Sequence, residues 1–288
     1  MQNSTDQCGM IWVKLRAELN LYDTILTPFD HSMSSPLTPI LPQSATDLLY
    51  EGKAKRVYRT TDPHILICQF KDDATAFNAQ KKGTITHKGE VNCTISAHIF
   101  RYLENQGIPT HFIAQTAATE MQVKAVQIVP IEVVVRNRAA GSLCNRLGIE
   151  RGLTITPPLV EFCYKNDALG DPLITPDHIR ILQLASPDQV EALTSLALQI
   201  NQALASFFRR CDLELIDFKL EFGLDTHGVI LLADEISPDT CRLWDLRGQE
   251  SEQRVMDKDL FRFDLGDPVA GYQEVLQRVI TDVGSSDL

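Results

Sequence analysis

The stretch Leu213-Glu214-Leu215-Ile216-Asp217-Phe218-Lys219-Leu220-Glu221-Phe222-Gly223, with Val229-Ile230-Leu231-Leu232-Ala233-Asp234-Glu235 a short step beyond it, decides how the chain is read. Polar and apolar residues alternate with the period of a strand. Asp217, Lys219 and Glu221 therefore share one face, and Phe218, Leu220 and Phe222 share the other. Asp225-Thr226-His227-Gly228 reads as the turn of a hairpin. A solvated antiparallel strand shows the same alternation, so the pattern alone favours an ordinary polar surface. The functional reading comes from the next segment. Ser237-Pro238-Asp239-Thr240-Cys241-Arg242-Leu243-Trp244-Asp245 reads as turn-rich and dense in polar groups. Carboxylates on adjacent strands, here Glu221 and Asp234, suit Mg²⁺, which takes one or two carboxylates together with phosphate oxygens and water.

Working outward, Leu48 to Tyr58 reads as strand, glycine turn, strand, with Lys53 and Lys55 just after Gly52. Backbone can approach a phosphate at such a turn, and an ammonium can neutralise it. The Walker pattern is absent, and lysines at turns are usually only solvated. Lys71 to Gly89 reads as a long polar loop. Val91, Ile95, Ile99, Tyr102 and Leu103 have helical spacing, stopped by Gly107 and Pro109. The β-branched run from Ile131 to Val135 leads into Arg136, Arg138 and the small-residue turn Ala139-Ala140-Gly141-Ser142. Guanidinium and free backbone N–H groups converging there suit an anion, although a charged rim would look the same. Leu153 to Leu173 is rich in Pro, Asp and Asn, with one short strand over Val160 to Lys165. Ser186-Pro187-Asp188-Gln189 is a capping box opening a helix that runs to Arg209-Arg210, and a last helix starts at Asp267-Pro268.

The composition bounds the function. With 288 residues, 44% of them hydrophobic, the chain can bury a large core. A formal charge of −11 argues against nucleic acid or an anionic membrane as partner. It leaves room for anionic small molecules at local basic sites. Seven scattered cysteines without a C-x-x-C pair indicate neither zinc nor a disulfide framework, and reduced thiols fit a cytoplasmic protein.

Gly52-Lys53-Ala54-Lys55, Val129-Pro130-Ile131-Glu132 through Arg136 to Gly141-Ser142, Ile216 to Gly223, and Asp234-Glu235 with Ser237 to Asp245 together resemble the phosphoribosylaminoimidazole-succinocarboxamide synthase (SAICAR synthetase) family. The resemblance runs from about Leu48 to Ile280. It implies an α+β, two-lobed fold related to ATP-grasp, with mixed or antiparallel sheets and flanking helices. A nucleotide-binding lobe is expected over 47–128 and a substrate- and metal-binding lobe over 129–288. The implied activity is ATP-dependent, Mg²⁺-dependent ligation of L-aspartate to the carboxylate of 5-aminoimidazole-4-carboxy ribonucleotide (CAIR), in purine biosynthesis. By the same resemblance, Lys219 and Asp217 are the catalytic pair. Gly52, Lys53, Lys55, Lys124, Val129, Ile131 and Glu132 serve ATP. Arg136, Ser142, Lys219, Asp239 and Arg242 serve CAIR and aspartate, and Glu221 and Asp234 hold the metal. Ala125 stands where some members carry a second lysine after Lys124. ATP, CAIR and L-aspartate are the expected partners, with room for a homo-oligomer. A small-molecule kinase would leave its phosphoryl group on the product. A non-catalytic nucleotide-binding module would not need Glu221 and Asp234.

Residues 1–46 fall outside the family pattern. Pro28, Pro36, Pro39 and Pro42 punctuate a Ser- and Thr-rich stretch that reads as a disordered extension, with Met10 and Met33 as alternative starts. Deleting Met1 to Ser44 is expected to leave turnover and melting temperature unchanged. A large fall in either, by assay or thermal scan, would show that the segment packs on the body.

Overall fold

The computed structural model describes residues 44–76, 80–248 and 254–286. The predicted disorder of the extension thus concerns residues that, as far as 43, lie outside those described. From residue 44 onward the chain opens with β1 (Leu48–Glu51), β2 (Lys55–Arg59) and β3 (Ile65–Phe70). A hairpin, β4 (Asp73–Ala76) and β5 (Lys81–Thr84), precedes helix α1 (Lys88–Asn105). The strands β6 (Phe112–Ala117) and β7 (Glu120–Lys124) complete a five-stranded sheet of order β1-β2-β3-β7-β6. A second sheet is built from β8 (Gln127–Arg138), β9 (Thr154–Tyr164) and β10 (Leu173–Ile174), with the short helix α2 (Ser142–Leu147) between β8 and β9. After α3 (Pro176–Ile181) and α4 (Pro187–Arg210) it is completed by β11 (Leu213–Leu224), β12 (Ile230–Ala233) and β13 (Cys241–Asp245). Its order is β10-β9-β8-β11-β12, with β13 also pairing β11. The helices α5 (Asp259–Phe263) and α6 (Pro268–Ser286) close the chain. The α+β class with antiparallel sheets and flanking helices is as expected.

The apolar faces of both sheets join one core. Ile131, Val133 and Val135 of β8 and Phe218, Leu220 and Phe222 of β11 meet Ile95, Ile99 and Leu103 of α1, Leu193, Ile200, Leu204 and Phe207 of α4, and Val275 and Val279 of α6. Helix α4 forms because its apolar residues recur at helical spacing and its start is closed. Ser186 Oγ accepts from Gln189 N at 3.2 Å, and Gln189 Oε1 accepts from Ser186 N at 2.8 Å. The start of α1 uses another device. His87 lies at φ 63° without a side-chain cap, and Asp72 accepts from His87 N and Gly89 N at 3.1 and 2.9 Å.

Three sequence expectations need correction. Part of the supposed loop Lys71–Gly89 is the β4–β5 hairpin, which packs on α5: Lys81 Nζ stands 2.7 Å from Asp264 Oδ1 and 5.0 Å from the Phe261 ring centroid. The short strand expected at Val160–Lys165 is the eleven-residue β9. Its Pro157 and Pro158 are tolerated because the register shifts between Arg136↔Leu159 and Arg138↔Thr154, so no ladder N–H is demanded of them. The turn-rich reading of Ser237–Asp245 holds only to Thr240. Cys241–Asp245 is a strand, because Leu243 and Trp244 have apolar surfaces to cover.

The β8–β11 pair also shifts register, between Glu221↔Glu132 and Gly223↔Ile128, which takes up Pro130. At Gly223 the chains come so close that an added Cβ would lie 2.4 Å from Val126 Cγ2 and 2.7 Å from Val126 Cβ. Gly223→Ala is expected to destabilise the protein by roughly 1–3 kcal/mol through overpacking. A lower urea midpoint with unchanged slope would bear this out; unchanged stability would mean that the strands do not pack this tightly.

Candidate active site

Strand register gathers the polar residues of the second sheet. Glu221 lies opposite Glu132, Lys219 opposite Val134, and Asp217 opposite Arg136. Glu161 of β9 lies opposite Val134, and Arg242 of β13 opposite Asp217. Residues directly opposite share a face, so one face carries the charged residues of four strands. Asp217 is 3% exposed and Glu221 6%, which excludes a simple solvated strand face.

One group on this face is built from lysines and carboxylates. Lys219 Nζ donates to Glu221, to Asp234 Oδ2 at 3.0 Å and to Glu132 Oε1 at 3.3 Å. Lys165 Nζ donates to Glu221 Oε1 at 2.8 Å. From the first sheet Lys55 reaches across to donate to Asp234, with Glu235 Oε1 at 3.7 Å. Asp234 follows β12 at φ 61°, which swings its side chain out of strand alternation. Burial works against its charge. The ammoniums of Lys219, Lys55 and Lys165 outweigh burial and hold its carboxyl well below the usual carboxylate range. For Lys219 burial again opposes charge, and Asp234, Glu221 and Glu132 raise its ammonium well above the ordinary lysine value. Burial pushes Glu132 and Glu235 up.

A second group is built from arginines. Arg136 donates from Nε to Glu161 Oε2 at 2.7 Å and from Nη1 to Asp217 Oδ2 at 2.6 Å, and its Nη2 lies 3.5 Å from Ser142 Oγ. Arg242 donates from Nη1 to both oxygens of Asp217 at 2.9 Å and from Nε to Asp259 Oδ2 at 2.8 Å. Gly141, at φ 55°, brings backbone against this guanidinium; a Cβ there would lie 2.5 Å from Arg242 Nη2. A planar fork held between carboxylates is ready for a bidentate anion.

Asp239 belongs to neither group. It accepts from Lys88 Nζ at 2.9 Å and from the Tyr272 hydroxyl at 2.5 Å, with Lys258 Nζ at 3.6 Å. Burial opposes its ionisation, but Lys258, Lys88 and Tyr272 hold it well below the normal range. Of the residues expected near ATP, Lys55 joins the lysine–carboxylate group and exposed Lys53 pairs with Asp167 at 2.6 Å. Gly52 N donates to Lys55 O at 2.8 Å and closes their turn. Lys124 turns away to the Thr110 carbonyl at 3.1 Å. Val129 and Ile131 put their side chains into the core, so only their backbone can meet a ligand.

The SAICAR synthetase family model matches residues 48–279. The chain belongs to the SAICAR synthetase family. The phosphoribosylaminoimidazole-succinocarboxamide synthase of Synechococcus sp. strain JA-2-3B'a(2-13) is 73% identical over 248 residues, 86% of this chain and 100% of that protein. The crystal structure of the synthase from Ehrlichia chaffeensis superposes with a TM-score of 0.77 at 43% identity, covering 81% of this chain and 98% of that one. A SAICAR synthetase (Type-2) in complex with ADP superposes at 0.76 and 45% identity, covering 80% and 96%. Among the described residues no helix of this chain is long and apolar enough to cross a membrane.

Several members of the two charged groups and of the Asp239 cluster gave no sequence signal. Lys165 follows a proline-rich strand, Lys88 opens a helix, and Lys258 and Asp259 lie in a polar stretch; each meets its partner only through the fold. His111 is another. Burial pushes its imidazole down to about 3, so it sits neutral against the Phe100 ring, 5.4 Å between centroids.

The sequence alone suggests that Asp234→Asn relieves repulsion between neighbouring carboxylates. The surrounding lysines reverse that expectation. Asparagine tolerates the positive φ, so the change isolates charge, and removing one partner of a buried pair should destabilise by about 3 kcal/mol at neutral pH. Because the native carboxyl titrates below its unfolded value, its stabilisation is complete above about pH 4 and lost as pH falls through the native value. Urea unfolding of both proteins from pH 7 to 3 should show the gap narrowing only below about pH 4. A gap that is absent at pH 7 would overturn the electrostatic account.

Proposed function

We propose that this SAICAR synthetase joins L-aspartate to the carboxylate of CAIR through an amide bond while ATP becomes ADP and phosphate. The observation that carries this reading is the pairing, on one sheet face, of a lysine–carboxylate group with an arginine group. The names of its relatives and the ADP complex of one of them support it.

The chemistry requires two steps. A carboxylate has no adequate leaving group. An oxygen of the CAIR carboxylate attacks the γ-phosphorus, the bond to the β-phosphate oxygen breaks, and ADP leaves. The amine of aspartate then attacks the acyl carbon, the C–O bond to the phosphate breaks, and the nitrogen gives up a proton. Phosphoryl transfer depends chiefly on positioning and charge neutralisation. We assign that work to Lys53 and Lys55 at the nucleotide phosphates and to Lys219 at the transferring group, where its raised pKa keeps it cationic. Arg136, Ser142 and Arg242 hold CAIR, Asp217 sets the two guanidiniums, and Asp239, held by Lys88 and Tyr272, is assigned to the substrates by family resemblance alone. The backbone from Val129 to Glu132 borders the base of ATP, and Lys124 is assigned to phosphate by family resemblance alone. The two lobes of this reading are 47–128 and 129–288, and the free thiols of the six described cysteines fit a cytoplasmic enzyme.

The donor chemistry suits Mg²⁺, although among the described residues no three such side chains are gathered closely enough to hold a metal ion as they stand. Glu221, Asp234 and Glu132 already converge on one cation, the Lys219 ammonium, with hard oxygen donors. Glu221 and Asp234 would hold the ion, which when bound supplies charge neutralisation at the phosphates.

Purified protein is expected to release phosphate from ATP only when CAIR and L-aspartate are both present. ADP formation without free phosphate, leaving a phosphorylated product, would favour a kinase instead, and phosphate release with aspartate or CAIR omitted would show hydrolysis uncoupled from ligation. Arg136→Lys should raise the KM for CAIR about tenfold or more, through loss of charge-assisted hydrogen bonds that lysine cannot remake. The KM for ATP should stay nearly unchanged. Equal effects on both would place Arg136 elsewhere.

A further inference from the structure

Beyond the far end of β8 and β11 lies a cavity of about 690 Å³ whose lining includes Arg138, Arg151, Arg209, Arg254, Glu214 and Trp244. None of its lining residues belongs to the two groups described above. A small apolar cluster that includes Ala140, Ile216, Trp244 and Leu260 lies beside it. The cavity is large enough for a nucleotide-sized ligand. In a chain of net charge −11 its lining carries four arginines and, with Glu150, only two carboxylates.

Two of the arginines are held in place. Arg138 Nε donates to Glu214 Oε1 at 2.7 Å and its Nη1 to the Gly152 carbonyl at 3.0 Å. Arg254 Nη2 donates to Glu214 Oε2 at 3.2 Å and its Nε to the Asp245 carbonyl at 3.1 Å. Glu214 therefore uses both oxygens on guanidiniums that keep further N–H groups unspent. Arg151 lies over the Trp244 ring at 4.8 Å and Arg254 at 5.4 Å. The loop that carries Arg151 is tied to the end of β8, since Ala139 N donates to Leu153 O and Gly152 N to Ala139 O, both at 2.8 Å. Among the described residues, the side chains of Arg151 and Arg209 make no hydrogen bond or ion pair. Four guanidiniums, two of them oriented and two of them uncommitted, match the several oxygens of a phosphoryl anion.

We infer that this cavity is a second anion site, separate from the catalytic face, which takes a small phosphorylated molecule by its phosphates. Two guanidiniums already lie over the indole, so recognition runs through the arginines and not through stacking on Trp244. Because Arg151 and Arg254 lie on that ring, binding reports itself in tryptophan fluorescence.

The test uses full-length protein carrying Trp12→Phe, which leaves Trp244 as the one tryptophan. Titrated with inorganic pyrophosphate in EDTA, it should show a saturable change of fluorescence. Arg151→Gln with Arg209→Gln should weaken that response about tenfold or more, with melting temperature and turnover unchanged. Lys53→Ala, which alters the nucleotide site, should leave it intact. AMP and inorganic phosphate, run in parallel, tell the sources apart: AMP above phosphate identifies an organic ester, and pyrophosphate above both identifies a free polyphosphate. No saturable response, or one lost in Lys53→Ala and kept in the double variant, overturns the inference.

Discussion

Everything on the charged face depends on the antiparallel register of β8 against β11. Asp217 opposite Arg136 and Glu221 opposite Glu132 put the charged residues of both strands on one side and Val133, Val135, Phe218 and Leu220 on the other. Strand side chains alternate with period two, so a slip of one residue would turn the charges into the core and the core into the site. The apolar face thus enforces the polar one. The register shift at Gly223 belongs to the same constraint, because it takes up Pro130 without disturbing the Asp217–Arg136 and Glu221–Glu132 pairs.

Burying so many charges is tolerable only because each is answered. Lys219 is shared by three carboxylates, Asp217 by two guanidiniums, and Asp239 by Lys88, Lys258 and a phenol. An unpaired buried ion would lose several kcal/mol of hydration. The same pairing leaves the groups oriented before any substrate arrives, which is the condition for electrostatic catalysis.

The two sheets contribute unequally. The first supplies Lys55, whose ammonium crosses to Asp234 and Glu235 of the second. Asp234 is available to it because its positive φ takes the residue out of the β12 alternation. The arginine group comes from the second sheet, the helix α2 between two of its strands and the residues after it, with Asp259 of α5 as its last carboxylate. The lysine–carboxylate group at the meeting of the sheets and the arginine group within one sheet form a division that arises from where the strands place their charges.

Local pattern was enough to identify β11, the β12 run, the capped start of α4 and the apolar stripe of α1, because each depends on periodicity or on a hydrogen bond reaching three residues. The motifs around Gly52, Arg136, Lys219 and Asp234 were legible for the same reason: their residue types are contiguous. The β4–β5 hairpin was not legible, since polar strands look like loops until a neighbour covers them, and β13 was hidden by the turn residues that lead into it. β9 was hidden by prolines that only its register shift accommodates. Tertiary structure alone decided that Lys165 would reach Glu221, 56 residues away, and that Lys88 would reach Asp239, 151 residues away. It also decided the sign of the electrostatics at Asp234. In the sequence Asp234 has a glutamate beside it, and only the fold surrounds it with lysines from β2, β11 and the end of β9. The reason is physical: secondary structure is set by neighbours along the chain, whereas the charge state of a buried group is set by neighbours in space.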